Sequence, residues 1–230
     1  MSAPGVAVVT GASRGIGRAV AKRLAERWEV VAVARSAPEL ESLRAEIEGG
    51  GGRCRPVCCD VSDAAAVERA LAGVEAAVLV NNAGIGVMKP LVEMSIEEWR
   101  RMMGVNLDAL FYVTRTLLPG MLRRGAGHIV NIGSLAGRNP MVGGTGYTAT
   151  KHAVVGFSES LMLEVRDAGV QVSMVMPGSV ATDFSPRKGD TSWMISSEEI
   201  ADAVWYLLHQ RGNALVSRIE VRPARPPRKS

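Results

Sequence analysis

Aromatic side chains, cysteines and histidines are scarce in this chain of 230 residues. Phe, Trp and Tyr together make up 4% of it, and there are only 3 Cys and 3 His. The odd number of cysteines, which fall close together at Cys54, Cys58 and Cys59, argues against a disulfide framework. No Cys or His spacing matches a zinc site. We therefore predict buried free thiols and no metal centre.

Long apolar runs are also missing. None reaches the roughly 18 residues that can span a bilayer, and Met1–Pro4 lacks the basic start of a signal peptide. We expect a cytoplasmic protein without membrane association. The whole net charge of +4 is accounted for by residues 218–230, and with few aromatics to stack on bases we expect no nucleic-acid partner.

Apolar runs alternate with helix-periodic segments along the chain, the pattern of repeated βαβ units. This predicts an α/β fold with a parallel, seven-stranded sheet and helices on both faces. We expect a single domain over residues 1–217, followed by a last strand and a basic Pro/Arg-rich tail over 218–230. Pro119-Gly120 is expected to break a long helix, and Ser197 to cap the last one.

A glycine-rich turn, Thr10–Gly17, lies between the first predicted strand and the first helix. Glycines let the backbone approach a diphosphate, and the helix N-terminus supplies free N–H donors. The end of the second strand normally selects the cofactor, since an acid there binds the ribose hydroxyls. Here Arg35 follows that strand, and Arg14 lies in the turn. Two guanidiniums suit a 2′-phosphate, so we predict NADP(H) in preference to NAD(H).

A tyrosine and a lysine one helical turn apart, Tyr147 and Lys151, form the candidate acid/base pair. The ammonium is expected to lower the pKa of the phenol. Ser134 follows the fifth strand at the edge of the sheet where ligands bind, and its hydroxyl is suited to hold a carbonyl oxygen. Tyr147 would then protonate the developing alkoxide during reduction, or act as the base in the reverse direction.

These motifs, in this order and over nearly the full chain, resemble the single-domain short-chain dehydrogenase/reductase family. They comprise the glycine turn, Asp60-Val61, Asn81-Asn82-Ala83-Gly84, Asn106, Ser134, Tyr147-x-x-x-Lys151 and Pro177-Gly178. The resemblance implies that the sheet is doubly wound and of the Rossmann type, that residues 1–217 form a catalytic domain, and that Asn106, Ser134, Tyr147 and Lys151 form a catalytic tetrad.

The resemblance also implies how the cofactor is held. Asp60 would bind the adenine amine, Asn81 would lie on the adenosine side, and Lys151 would bind the nicotinamide ribose. Asn106 would support a water that links Lys151 to solvent. The cofactor contacts we predict are Gly11, Ser13, Arg14, Gly15, Ile16, Gly17, Arg35, Asp60, Val61, Asn82, Ala83, Gly84, Tyr147, Lys151, Pro177, Gly178, Val180 and Thr182.

The substrate is expected to be a small carbonyl or alcohol, selected by the loops at residues 138–146 and 183–196. One alternative is reduction of a 3-oxoacyl group on an acyl carrier protein, docked by Arg123, Arg124, Arg187 and Lys188. An alternative of another class is a non-catalytic NADP-binding sensor or scaffold, which has no need of an acid/base pair. The resemblance further implies a homodimer or homotetramer through the helix from Tyr147 and the helix before it.

Overall fold

Seven strands and seven α-helices alternate in a computed structural model that describes residues 5–182, 184, 190–210 and 213–226. The strands are β1 (Val6–Thr10), β2 (Glu29–Ala34), β3 (Arg53–Cys58), β4 (Ala76–Asn81), β5 (Gly127–Ile132), β6 (Val170–Pro177) and β7 (Arg218–Val221). The helices are α1 (Gly15–Leu24), α2 (Ala37–Gly49), α3 (Ala64–Leu71), α4 (Ile96–Met103), α5 (Ala109–Arg124), α6 (Thr145–Val165) and α7 (Ser197–Leu208).

The strands form one parallel sheet in the order β3-β2-β1-β4-β5-β6-β7. The chain winds outward from β1 to β3 and then crosses to β4 on the other side of β1. A crevice therefore opens between the turns that follow β1 and β4, at the carboxyl edge of the sheet where open α/β folds bind ligands.

Both faces of the sheet are covered, which explains the continuous apolar runs. In β1, Ala7 and Val9 pack with residues of α1, α2 and α7, whereas Val8 points to the opposite face and packs with α3, α5 and α6. The predicted Rossmann-type fold is confirmed. No helix among the described residues is long and apolar enough to cross a membrane.

Two helix boundaries differ from prediction. α5 continues through Pro119 to Arg124. Proline removes one N–H and displaces the carbonyl four residues earlier, but Pro119 and Arg115 are both exposed, so that carbonyl can turn to water. The cap of α7 is Ser196 rather than Ser197, because the Ser196 hydroxyl accepts the Glu199 N–H and completes a capping box.

The prediction of buried thiols holds for two of the three cysteines. Cys54 and Cys59 are buried, and burial raises the pKa of Cys54 to about 11. Cys58 is exposed, and its Sγ donates to the Arg35 carbonyl oxygen at 3.2 Å. The side chains of Cys58 and Cys59 point to opposite faces of the sheet, as successive residues of a strand do. Because β3 is an edge strand, the face on which Cys58 lies is accessible to solvent.

A buried histidine joins β5 to β6. His128 Nε2 lies 2.9 Å from Ser173 Oγ, and Ser173 in turn donates to the Val216 carbonyl oxygen at 2.8 Å. Because Ser173 already donates its hydroxyl proton to Val216, the His128 Nε2–H must be the donor to Ser173 Oγ. Burial lowers the pKa of His128 to about 4, because a charged ring would lose its hydration.

We predict that His128 makes the fold sensitive to mild acid. The unfolded chain, with an ordinary histidine pKa near 6.5, takes up a proton that the folded chain does not bind until about pH 4. Stability from this group is therefore complete above pH 6.5 and is lost as the pH falls, by about 2 kcal/mol between pH 7 and pH 5. Urea unfolding at the two pH values checks this. His128→Gln keeps an amide donor without the titration, and an equal loss in that variant would contradict the prediction.

Candidate active site

The turn after β1 has no room for side chains. Gly11 and Gly15 have φ of +66° and +53°, and a Cβ on Gly17 would collide with the Gly11 carbonyl oxygen and with Asn82 Nδ2. The N-cap of α1, Arg14, forms no side-chain hydrogen bond to the N–H groups of the first turn. A bare helix N-terminus behind a close-packed glycine turn fits a diphosphate.

Asn82, at the end of β4, holds this turn in place. Its Nδ2 donates to the carbonyl oxygens of Thr10 and Gly11, at 2.9 and 3.2 Å. In the opposite direction, the backbone N–H groups of Asn82 and Ala83 donate hydrogen bonds to Thr10 Oγ1, at 3.0 and 3.1 Å. Asn82 and Ala83, predicted as cofactor contacts, thus fix the shape of the crevice through their amides.

Arg35 and Asp60 lie side by side beyond the ends of β2 and β3. Arg35 Nη1 is 4.0 Å from Asp60 Oδ2, and both side chains are exposed. The Ser62 hydroxyl and N–H bind Asp60 Oδ1, and these bonds, with a smaller contribution from Arg35, lower the pKa of the carboxyl. Arg14 is exposed in the turn. The two predicted guanidiniums are therefore solvent-accessible at the adenosine end of the crevice.

The predicted catalytic residues meet at the carboxyl edges of β4 and β5. Tyr147, on α6, lies beside Ser134, which follows β5. Lys151 lies one turn further along α6, with Nζ 5.8 Å from the Tyr147 ring centre and donating to the Ile132 carbonyl oxygen at 3.1 Å.

Asn106 connects this group to β4. It lies in a π-helical turn, Gly104–Asp108, where its Oδ1 accepts the Ile85 N–H at 2.8 Å and its Nδ2 donates to Thr150 Oγ1 at 3.0 Å. Gly84 lies against both Asn106 and Lys151, since a Cβ there would be 3.4 Å from Asn106 Oδ1 and 3.8 Å from Lys151 Nζ.

The electrostatics of the pair differ from the prediction. Burial raises the pKa of Tyr147 above its usual value. The nearby Ser134 side chain lowers it, but by less than burial raises it. Burial also lowers the pKa of Lys151 to about 8. The expected lowering of the phenol pKa by the ammonium is therefore not seen: desolvation outweighs every other effect on the phenol in this closed site. The phenol is protonated at neutral pH and is ready to act as an acid.

Comparison with known proteins places this geometry in a family. The family model described as short chain dehydrogenase matches residues 5–193. An NADP-dependent 3-hydroxy acid dehydrogenase of Salmonella typhi is 35% identical, over 95% of this chain and 94% of the relative. The chain belongs to the short-chain dehydrogenase family.

Two solved structures of this family are similar over their full length. A metagenomic short-chain oxidoreductase in complex with NADP is 38% identical with a TM-score of 0.86, covering 97% of this chain and 99% of that one. A 3-oxoacyl-[acyl-carrier protein] reductase from Brucella melitensis is 31% identical with a TM-score of 0.88, covering 96% and 90%. The predicted family and fold are confirmed.

The Pro177–Thr182 segment of this short-chain dehydrogenase closes the other side of the crevice. The Gly178 N–H donates to the Val221 carbonyl oxygen at 2.8 Å, and Val180 forms a bridge with Ile195. Thr182 packs against the glycine turn: a Cβ on Gly15 would lie 3.2 Å from the Cγ2 of Thr182. Thr182 thus bounds the slot in which a diphosphate would lie.

Some predicted residues face the interior. The Asn81 amide donates to Thr114 Oγ1 and Asn131 Oδ1, at 3.0 and 2.9 Å, so its side chain is in the core and not on the adenosine side. Val61 is buried with α3 and α5 residues, and Ile16 packs partly against the core on the other face. Ser13 contributes its carbonyl oxygen to Arg18 at 3.2 Å. Arg187 and Lys188 lie outside the described residues.

Two further residues contribute to the site: Arg18, which was not predicted, and Phe184, which lies in the predicted substrate loop at residues 183–196. The Arg18 guanidinium joins the glycine turn to α2, through the carbonyl oxygens of Ser13 and Glu39 and the Glu46 carboxylate. Phe184 lies over the catalytic tyrosine, with ring centres 5.7 Å apart. Only helical periodicity could have indicated Arg18, and nothing in the sequence indicated the Phe184 contact.

We predict that Gly17→Ala destabilises the protein by about 1–3 kcal/mol, because the new methyl group would displace the Gly11 carbonyl or the Asn82 amide. Gly49→Ala is the matched control. A Cβ at Gly49, at the end of α2, meets nothing within 4 Å, so this variant should gain about 0.5–1 kcal/mol from lower chain entropy. Urea unfolding measures both, and equal midpoints for Gly17→Ala and the native chain would refute the close packing.

Proposed function

We propose that the protein catalyses reversible hydride transfer between NADPH and a small ketone or aldehyde, as a carbonyl reductase or alcohol dehydrogenase. The observation that carries this proposal is the approach of Tyr147 to Ser134 at the carboxyl edge of the sheet, with the Nζ of buried Lys151 5.8 Å from the tyrosine ring centre. A proton donor and a second hydroxyl converge there on one place for a carbonyl oxygen.

The crevice fits a nicotinamide dinucleotide. The turn from Gly11 to Gly17 would hold the diphosphate, Asp60 the adenine amine, Lys151 the nicotinamide ribose and Val180 with Thr182 the carboxamide. When bound, the cofactor supplies the hydride. The protein supplies position, and the packing at Gly17 shows that the crevice is shaped for backbone approach rather than filled by side chains.

The proton chemistry follows from the side chains. Ser134 holds the carbonyl oxygen while Tyr147 delivers its proton to the same oxygen as negative charge develops there. A cavity of about 10 Å³, enough for about one water, is lined by Lys151, Asn106 and Thr10 among others. It supports a relay in which Lys151 and a water beside Asn106 restore the proton.

Preference for NADP(H) is supported from two sides. The guanidiniums of Arg14 and Arg35 are exposed at the adenosine end, and bidentate binding of a 2′-phosphate needs such planar donors. The relatives point the same way, since one is named as NADP-dependent and another was solved with NADP.

The positions of charged residues bear on whether an acyl carrier protein delivers the substrate. Docking of an acyl carrier protein by Arg123 and Arg124 finds no support, because both pair with Glu75 at the amino-terminal edge of the sheet, opposite the site. The 3-oxoacyl reductase relative keeps that substrate class open as the second candidate. The intact acid/base set argues against a non-catalytic sensor.

We further infer a homodimer or homotetramer built on α5 and α6. Phe111 and Leu163, on these two helices, are exposed apolar residues, and Gly156 leaves open space for a close-packed partner helix. Burial of such a surface between copies is the usual reason for its composition.

We predict that Tyr147→Phe lowers kcat by about 10²–10⁴-fold, because the proton donor is lost while the ring remains. Steady-state oxidation of NADPH with the best ketone of a panel measures this. The control is Tyr206→Phe, which removes a hydroxyl from an exposed tyrosine on α7 and should leave kcat unchanged. Fluorescence titration with NADPH measures cofactor binding by all three proteins separately from turnover. Near-native turnover by Tyr147→Phe would refute the mechanism.

We predict that Arg35→Asp lowers kcat/KM for NADPH by about 100-fold or more and leaves that for NADH equal or higher, because a carboxylate repels the 2′-phosphate and accepts ribose hydroxyls. Arg35→Gln removes the charge without repulsion and should lie between the two. Either a higher native kcat/KM with NADH, or unchanged NADPH use by Arg35→Asp, would contradict the assignment.

A further inference from the structure

Exposed apolar side chains crowd the mouth of the catalytic crevice. Val92 and Val142 keep 94% and 104% of the area of a free residue, and Leu91 and Ile96 keep 59% and 63%. With the exposed side chains of Met88 and Met141 they form what we call the apolar rim: Met88, Leu91, Val92, Ile96, Met141 and Val142. A soluble protein rarely leaves so many apolar residues together in water without a ligand for them.

The rim is one surface made by two segments. Residues 86–96 follow β4, and residues 139–146 precede α6. They are in contact, because a Cβ on Gly143 would lie 3.8–3.9 Å from the backbone of Lys89. Gly143 has φ +69°, so the second segment turns sharply where it meets the first.

The rim is continuous with the catalytic tyrosine. A Cβ on Gly86 would lie 2.9 Å from the Phe184 ring and 3.3 Å from Met88 Cε, and Phe184 in turn covers Tyr147. On the inner side Tyr147 packs with Met102, Ile85, Val87 and Met94. Apolar surface thus runs without a break from the proton donor to the outside of the protein.

Charge is nearly absent from the rim. Segment 139–146 has no ionisable side chain, and segment 86–96 has only Lys89 and Glu93. Lys89 is neutralised, since its Nζ lies 2.7 and 2.9 Å from the two carboxylate oxygens of Glu98. Among the described residues of the two segments there is thus no unpaired cation, although exposed Arg138 directly precedes the second segment, and the rim itself favours a neutral, apolar group.

We propose that the apolar rim binds the hydrocarbon chain of the substrate, so that the preferred substrates are ketones or aldehydes with an extended alkyl chain. The carbonyl lies at Tyr147 and the chain passes Phe184 and Met88 to reach Val92 and Val142. This inference rests on the proposed reduction of carbonyls by NADPH and specifies the substrate class for that site.

The test is a chain-length series, 2-butanone, 2-hexanone, 2-octanone and 2-decanone, with NADPH. For the native protein kcat/KM should rise by about two- to four-fold per methylene, the range from half to full burial of each group. Val92→Asn/Val142→Asn should reduce this factor to near one and change kcat/KM for 2-butanone by less than about two-fold. Both valines are so exposed that the variant should fold normally, which its Tm checks.

Two controls isolate the rim. Val92→Leu/Val142→Leu keeps the apolar surface and should keep the chain-length factor. Leu122→Asn changes an exposed apolar residue on α5, at the other edge of the sheet, and should also keep it. A native series without chain-length dependence, or an unchanged factor in the Asn variant, would overturn the inference. So would a native oligomer that dissociates in the Asn variant while the factor stays, since the rim would then be a contact between copies.

Failure of the inference is separable from failure of the proposed function. Reduction of 2-butanone without chain-length dependence would leave the proposed activity intact and reject the rim. If no ketone is reduced, calorimetric titration of the protein with NADP⁺ and the matching 2-alkanols measures the rim alone. Affinity that rises with chain length in the native protein and not in the Asn variant supports it, and flat affinity rejects it.

Discussion

The site depends on how closely the turn after β1 approaches the end of β4. Gly17 has no room for a Cβ because the Gly11 carbonyl and the Asn82 amide occupy that space. The N-terminus of α1, which contains Gly17, has no side-chain cap. Two residues beyond Asn82, Gly84 lies against Lys151 and Asn106. One short stretch of chain therefore positions both the phosphate-binding turn and the proton-transfer group, and neither can move without the other.

Desolvation of the catalytic pair is the second constraint. Lys151 is buried, which lowers its pKa to about 8, and a buried ammonium is costly unless it is hydrogen-bonded. The Ile132 carbonyl at the end of β5 provides that bond. Tyr147 is buried beside it with its proton retained. Two ionisable groups are thus held at the sheet edge with pKa values that exposure to water would return to normal. The unfavourable free energy of burying them is offset by the apolar packing around them.

The sequence predicted structure correctly where a residue pattern is compatible with only one kind of structure. The alternation of apolar and helix-periodic segments predicted the seven-stranded parallel sheet, and the spacing of Tyr147 and Lys151 predicted the candidate acid/base pair, whereas Asn106 came only from the family resemblance. Prediction failed where the direction of a side chain decides the role. Asn81 is the last residue of β4 and Asn82 follows it, and their side chains point to opposite sides, one into the core and one to the glycine turn. Pro119 misled because solvent exposure, which the sequence does not show, makes proline tolerable in α5. The Phe184 contact with Tyr147 joins a loop to a helix, and no periodicity encodes it.

Chemistry and selectivity are divided between buried and exposed parts of the chain. The proton donor, its serine partner and the lysine are held by strand ends and by α6, so substitutions on the surface leave them in place. Selection of the substrate falls to loops, because these alone reach beyond the sheet edge. Their conformations are set by contacts such as Gly143 with Lys89, and not by helix or strand periodicity. Family membership therefore fixes the dehydrogenase class, whereas we propose that exposed apolar loop residues such as Val92 and Val142 select the carbonyl compound.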